Sequence, residues 1–563
     1  MSKSPLLSLL GLAALAPGAL AQAGGLWSEL DETRGPELRS HYGFSVAFLD
    51  DLNGDGVSEI LVGAPLATNG STTSDGYAEV LDGATRAVLR THLGVSSPGG
   101  ALGYETTRLG DLDGDGIGDY ALGEPNGSAS RDRIGLVHAY SGATGDLIWT
   151  AEGSQPWADF GAEIVATADV SGDGIPDLVV SERDWSRSIF EQYFGRVHLL
   201  SGADGSRLHT LHGAETRDQL GQRIGLIGDL DGDGVQELGI HRRGPAYDTP
   251  GYLAIYSLMS MERLTELVGP PAQIFDLTGW GQSFCGLGDL NGDGHDEFAI
   301  TAETEDAFPW VNSGSVTVYD GRTAELVWKR KTDVNYGYFG RQIANAGDQD
   351  GDGVPDLLVS EPGRYPGGAV HLLSGVDGRR LAVLEGEGNS DVWGFALDAG
   401  ADLDGDGISE FLIGALEDDV FRTFEGRLEV VSWNRLITPS ARVASNGQGG
   451  SLSIDAHFPA SEAGASYQLM LSTSGTGPVF VQGLAVPLTR DQLFGRSNRG
   501  KLGSNFANAV GTLNAAGDAQ IDFAWAPGHF TGQVGRSYWA CVVSFDAAGP
   551  RLASAAAAIT IVR

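Results

Sequence analysis

A nine-residue acidic segment recurs seven times in this chain, and the distance between copies hardly changes. It begins at Asp51, Asp111, Asp169, Asp229, Asp289, Asp348 and Asp402, at intervals of 54 to 60 residues. In every copy a glycine stands eight residues before the first Asp, preceded by an apolar residue. The pairs are Tyr42-Gly43, Leu102-Gly103, Phe160-Gly161, Leu220-Gly221, Trp280-Gly281, Phe339-Gly340 and Trp393-Gly394. A spacing kept through seven copies marks one structural unit repeated, and it decides the fold before local propensity is weighed.

Each unit continues in a similar way. Directly after the acidic segment comes a short apolar run, such as Ile60-Leu61-Val62 or Leu178-Val179-Val180, which reads as a strand buried on both faces. A glycine then opens an alternating strand, clearest at Gly135, Gly195 and Gly368, and several of these strands end in Ser-Gly or Asp-Gly turns. A fourth apolar segment follows, for example Leu147-Ile148-Trp149. Four strands per unit and seven units predict an all-β chain whose residues 26–433 form a seven-bladed β-propeller. The seventh unit lacks a fourth strand after Gly426 to Val431, while Leu26 to Leu30 belong to no unit. The N-terminal segment is therefore expected to complete the last blade, since a ring left open would expose sheet edges.

The acidic segments have the chemistry of cation loops. Oxygen-bearing side chains fill positions 1, 3, 5 and 9: Asp51, Asn53, Asp55 and Glu59; Asp111, Asp113, Asp115 and Asp119; Asp169, Ser171, Asp173 and Asp177; Asp229, Asp231, Asp233 and Glu237. The remaining three sets are Asp289, Asn291, Asp293 and Glu297; Asp348, Asp350, Asp352 and Asp356; Asp402, Asp404, Asp406 and Glu410. Positions 4 and 6 are glycine throughout, which lets the backbone curl until those side chains converge. The carbonyl of position 7 adds a fifth oxygen at Val57, Ile117, Ile175, Val235, His295, Val354 and Ile408. Such a set suits the six to eight oxygen ligands of Ca²⁺ better than the tight octahedron of Mg²⁺. Zinc and copper would call for His or Cys at the ligand positions. An EF-hand would need glutamate at position 12, where this chain has Val62, Leu122, Val180, Ile240, Ile300, Val359 and Ile413.

Without cations these loops oppose their own formation. Two carboxylates about 4 Å apart repel by roughly 4 kcal/mol at an effective dielectric near 20. The ligand positions hold 25 acids, and seven doubly charged ions would bring the net charge from −38 to −24. Cation binding is therefore expected to be coupled to folding, with up to seven Ca²⁺ per chain. The loops with three acids should bind more weakly than those with four, the Ser171 loop most weakly.

The apolar–Gly pair, the acidic loop and Val62-Gly63-Ala64-Pro65 together resemble the FG-GAP repeat of integrin α-chain propellers and of many secreted bacterial proteins. The resemblance covers residues ~26–433. It implies calcium in the loop between the first two strands of a blade, held by positions 1, 3, 5 and 9. Two departures stand out: the loop occurs in all seven units, and no inserted domain interrupts them. Integrin ligands are not carried over.

Residues 1–21 read as a secretory signal peptide, with Lys3 ahead of the apolar run from Pro5 to Ala21 and small-residue cleavage patterns at its end. No later segment holds the ~20 apolar residues of a membrane span, so the protein is expected to be secreted and extracellular, including at a cell surface. The charge of −38 excludes nucleic acid and anionic membrane as partners. Cys285 and Cys541 lie far apart in apolar runs and are expected to be free thiols.

Residues 437–563 change texture. Apolar strand-like runs separated by Gly- and Ser-rich turns predict a small β-sandwich, with Arg490, Arg496, Arg499 and Lys501 in one basic loop. No nucleophile elbow, zinc-protease motif or phosphate loop is present, and His138, His198 and His371, at one repeat position, read as structural residues packed between blades. The function expected is an extracellular binding or adhesion module for protein or carbohydrate, not an enzyme. Loops around Leu66–Gly76, Asp184–Phe194, Thr304–Ser313 and Arg364–Gly368 offer contact surfaces, with Trp185, Tyr193, Phe308 and Trp310 as aromatic anchors. The alternative is a calcium-dependent polysaccharide lyase or hydrolase, because paired acids for such chemistry leave no local signature.

Overall fold

The computed structural model describes residues 26–562 apart from 36, 38, 69–72, 95–98, 128–132, 189, 244–250, 271–278, 308, 351–352, 387–391, 406–407, 417–424, 435–436, 440–442, 446–449, 459–462, 474–478, 482–483, 487, 489, 500–501, 503–504, 516, 532, 535, 548 and 555–556. Residues 1–21, Asp352, Asp406, Phe308, Lys501 and part of the 66–76 loop thus lie outside the described residues.

Seven four-stranded antiparallel sheets follow one another along the chain. The third shows the pattern: Phe160–Ala166, Leu178–Glu182, Arg196–Leu200 and Arg207–His212 pair in chain order. The two middle strands are buried almost throughout, because a neighbouring sheet covers each face, while the outer strand is exposed at four of its six positions. Innermost strands of successive sheets lie side by side, and that of the seventh sheet lies beside that of the first. The ring is closed, and the architecture is a β-propeller.

Apolar clusters hold the ring together, one at each junction between sheets. Leu49, Leu61 and Val80 of the first sheet pack with Leu102, Tyr120 and Leu122 of the second. At the closing junction Ile60 and Val62 meet Leu412 and Leu428. The apolar–Gly pairs sit at these junctions. Leu102 bridges to Gly76 of the preceding sheet, and a Cβ on Gly103, at φ +82°, would stand 2.5 Å from the Tyr77 carbonyl oxygen. Only glycine tolerates both that φ and that approach.

The seventh sheet is built from both ends of the propeller sequence. Ala396–Ala401, Glu410–Ala415 and Arg427–Asn434 come from the last repeat, and Leu26–Arg34 pairs antiparallel with Arg427–Asn434 as the fourth strand. The strand is longer than the five residues anticipated, running on to pair Arg34 with Arg427.

Beyond the propeller, two sheets share one core. Leu452 and Ile454 on Gly450–His457 and Ile521 on Asp518–Trp525 face Leu469 and Leu471 on Ser466–Ser472 and Val542 on Ser537–Asp546. Here the basic loop turns out to contain a short helix, Gln492–Ser497. Asp491 caps it by accepting the Phe494 N–H at 2.7 Å, and Phe494 and Ser497 point into the protein. Both cysteines are free. No helix among the described residues is long and apolar enough to cross a membrane.

Candidate metal centres

Each acidic segment joins the innermost strand of a sheet to the second strand. In the five loops where both glycines are described they adopt left-handed φ, as at Gly54 (+81°) and Gly56 (+90°), and a Cβ at either of these two would meet nothing within 4 Å. The conformation, not lack of room, selects glycine there. The curl aims backbone N–H groups at the first carboxylate: Asp51 accepts from Gly54 at 2.7 Å and from Gly56 at 2.8 Å. Asp111, Asp169, Asp229 and Asp289 repeat this geometry. The N–H of Gly174 holds the Asp169 carboxyl below the usual range, and that of Gly294 does the same for Asp289. Position 5 accepts from position 7, as Asp55 does from Val57 at 2.9 Å.

Position 9 is the buried anchor. In all seven loops its carboxylate accepts the backbone N–H of position 2: Leu52 to Glu59, Leu112 to Asp119, Val170 to Asp177, Leu230 to Glu237, Leu290 to Glu297, Gln349 to Asp356 and Leu403 to Glu410. Where the residue is aspartate, its other oxygen accepts a second backbone N–H, from Gly142, Gly202 or Gly375 in the turn after the third strand. A glutamate reaches further. Glu237 Oε1 is buried and has no hydrogen-bond partner, while an oxygen of that carboxylate lies within 4.8 Å of oxygens of Asp229 and Asp231. Burial, followed by the neighbouring carboxylates, pushes the Glu59 and Glu237 carboxyls up to about 7. A buried, orphaned carboxylate oxygen facing other carboxylates is what an oxygen-preferring cation satisfies. The residues present fit such an ion.

Five loops bring three acids within 4.8 Å of one another: Asp51, Asp55 and Glu59; Asp111, Asp113 and Asp115; Asp229, Asp231 and Glu237; Asp348, Asp350 and Asp356; Asp402, Asp404 and Glu410. Among the described residues the loops of Asp169, Asp173 and Asp177 and of Asp289, Asp293 and Glu297 form no such trio; each has a neutral residue, Ser171 or Asn291, at position 3. The position-7 residues Val57, Ile117, Ile175, Val235, His295, Val354 and Ile408 follow the loop apex in each copy. His295 turns Nδ1 to the Leu230 carbonyl oxygen at 2.9 Å, across to the preceding repeat.

Three residues at the loops escaped the sequence reading. Asp82 and Asp320 stand in the turn after the third strand, where Asn53 donates to Asp82 at 3.0 Å and Asn291 to Asp320 at 3.4 Å. Asp82-Gly83 and Asp320-Gly321 had been legible only as turn signals. Arg379, in the equivalent turn of the sixth sheet, pairs with Asp350 at 2.5 Å.

The hydrogen bonds of the repeat histidines tie strands within one sheet. His198 Nε2 lies 3.1 Å from Glu182 and its Nδ1 2.9 Å from Thr210, joining three strands, and His138 does the same with Glu124 and Thr150. His371 contacts Glu361 at 2.8 Å.

A closed all-β propeller carrying acidic loops between the first two strands of its blades defines the class of protein. The FG-GAP repeat family matches residues 42–87, 280–319 and 339–373. Curated relatives include integrin alpha-V of Gallus gallus, 28% identical over 284 residues (46% of this chain, 26% of the relative), and integrin alpha pat-2 of Caenorhabditis briggsae, 31% identical over 222 residues (33% and 17%). Integrin alpha-5 of Xenopus laevis is 32% identical over 165 residues (26% and 15%). The chain is an FG-GAP repeat protein that resembles integrin α-chains, and it spans about a quarter or less of these relatives' length.

Proposed function

We propose that this chain is an extracellular binding module whose propeller is braced by calcium in its acidic loops and which captures a protein ligand on the opposite rim. In a four-stranded antiparallel sheet, the loops after the first and third strands leave at one end and those after the second and fourth at the other. The acidic segments and Asp82 and Asp320 lie at the first end.

The observation that carries the reading is where exposed aromatic side chains fall. Trp157, Phe190, Tyr193, Tyr336 and Tyr365 are the exposed aromatics among the described residues, and all lie in loops of the second end. Phe190 is 86% exposed and Tyr365 81%. Arginines accompany them, Arg133 over the Trp157 ring at 4.6 Å and Arg196 over Trp185 at 3.4 Å. Aromatic residues and arginine are the types enriched at the energetic centres of protein interfaces. A rigid ring with metal on one rim and aromatic loops on the other supports capture by the latter. The relatives are named as integrin α-chains, which favours binding over catalysis.

The test is pull-down of extracellular proteins on the calcium-loaded chain, beside the double variant Phe190→Ala, Tyr365→Ala. Capture lost in a variant of unchanged melting temperature supports the reading. Cleavage of a polysaccharide by the wild-type protein would move it to the enzyme class.

A further inference from the structure

The sandwich that follows the propeller keeps an opening between its sheets. Side chains of packed sheets normally interdigitate and fill the ~10 Å gap, and interiors hold few voids larger than a water molecule. Here a cavity of about 330 Å³ remains. Leu452 on one sheet and Leu471 on the other form its deep end, and Phe506, Phe523, Phe530 and Tyr538 form its walls. Phe506 and Phe523 are stacked at 4.4 Å and half-buried, so they present apolar faces to the opening.

The mouth is polar and its charge has one sign. Arg496, Asn505, His529 and Gln533 line it, and among the described residues no aspartate or glutamate does. In a chain of net charge −38, a lining without a single carboxylate stands apart from the general surface. Arg496 projects from the last turn of the short helix and has no acidic partner among the described residues. Arg490 and Arg499 lie close by in the sequence. An apolar, aromatic-walled pocket of this volume with a few polar groups at its entrance is the usual form of a small-molecule site.

We propose that this cavity binds a small amphipathic monocarboxylate with an aromatic body, its ring lying among Phe506, Phe523 and Phe530 and its carboxylate meeting the Arg496 guanidinium. The guanidinium fork matches a carboxylate in a way that it matches neither an alcohol nor an amine. This site is separate from the propeller loops and does not depend on their role.

The test is calorimetric titration of the calcium-loaded full chain with 4-phenylbutyrate, 4-phenylbutanol and 4-phenylbutylamine. The expected result is saturable binding of one 4-phenylbutyrate per chain, weaker binding of the alcohol and none of the amine. Arg496 is exposed, so Arg496→Gln should leave the fold intact while weakening the acid about tenfold and the alcohol by less than about twofold. Leu493→Trp, at the cavity wall, should abolish both. Absence of saturable acid binding, equal binding of acid and amine, or an unchanged acid affinity in Arg496→Gln would each overturn the proposal.

Discussion

Asn53 donates from Nδ2 to the Asp82 carboxylate at 3.0 Å, linking position 3 of the first acidic loop to the turn after the third strand. The fifth loop repeats the link between Asn291 and Asp320. These are the two loops in which asparagine replaces the third acid, and the turn position is aspartate in both, where the second, third and sixth repeats have Ser141, Ser201 and Ser374. The turn aspartate thus stands beside the position where the loop lacks its carboxylate. Asp82→Asn should therefore weaken calcium binding at one site about tenfold, or ~1.4 kcal/mol, and Asp320→Asn should do so at another. Calorimetric titration that finds both variants unchanged would remove the two aspartates from the ligand set.

The sixth loop shows the reverse arrangement. Arg379 takes up an oxygen of Asp350, so part of its four-acid charge is already neutralised. Arg379→Gln should raise calcium affinity at this site, by a few-fold at an effective dielectric near 20. A loss of affinity would mean that the arginine orients the loop and does not compete with the ion.

Glu237 separates the two states of a loop most sharply. Its Oε1 is buried without a partner, a cost in the metal-free chain that a bound cation removes. Glu237→Gln should stabilise the chelated protein by about 1–2 kcal/mol and lower the bound calcium count by one. Melting with and without chelator reads both effects, which have opposite sign.

Acidity should act through the same groups. Burial pushes Glu59 and Glu237 up to about 7. Between the ordinary glutamate value and about 7, the metal-free fold keeps protons that the unfolded chain has released, so its stability falls as pH rises through that window. Asp169 and Asp289 are shifted down, and their contribution is lost only at more acidic pH. Calcium affinity should rise across the window in which the metal-free fold weakens, with protons released on binding near pH 6.5. Calorimetry in buffers of different ionisation enthalpy measures that release.

Closure of the ring makes its own prediction. Leu26–Arg34 supplies the outer strand of the last sheet, pairing Trp27 with Trp433 and Arg34 with Arg427. Removing residues 26–34 exposes an edge and should lower the melting temperature and promote self-association. Light scattering and thermal melts would show whether the edge matters.

Much of this molecule was legible because repetition averages out local ambiguity. A single copy such as Asp169 to Asp177 reads equally well as a solvated turn; the glycine kept eight residues before each acidic segment is what revealed one structural unit repeated. The closing strand was legible from a deficit, the missing partner of Arg427–Asn434. Partners brought together only by folding were not legible. Asp82 lies 29 residues from Asn53, and its turn has an adequate local explanation. The hydrogen bond from position 2 to position 9 also left no trace, because it uses the backbone of residues as unlike as Leu52 and Gln349. His198 and Glu182 formed a readable pair in hindsight: His138, His198 and His371 each accompany a glutamate at the end of the second strand, Glu124, Glu182 and Glu361, where the first repeat has Ala64. The short helix at Gln492 was hidden by the arginines around it, since the Asp491 cap and the inward-facing Phe494 carry its only signals.

Metal content and thermal melting of one preparation test the central claim most directly. The purified chain, analysed for calcium and then melted before and after exhaustive chelation, should contain several calcium ions and up to seven, and should lose a large part of its stability when they are removed. A protein that carries no calcium and melts at the same temperature in both conditions would contradict the reading of the acidic loops as cation sites that brace the ring.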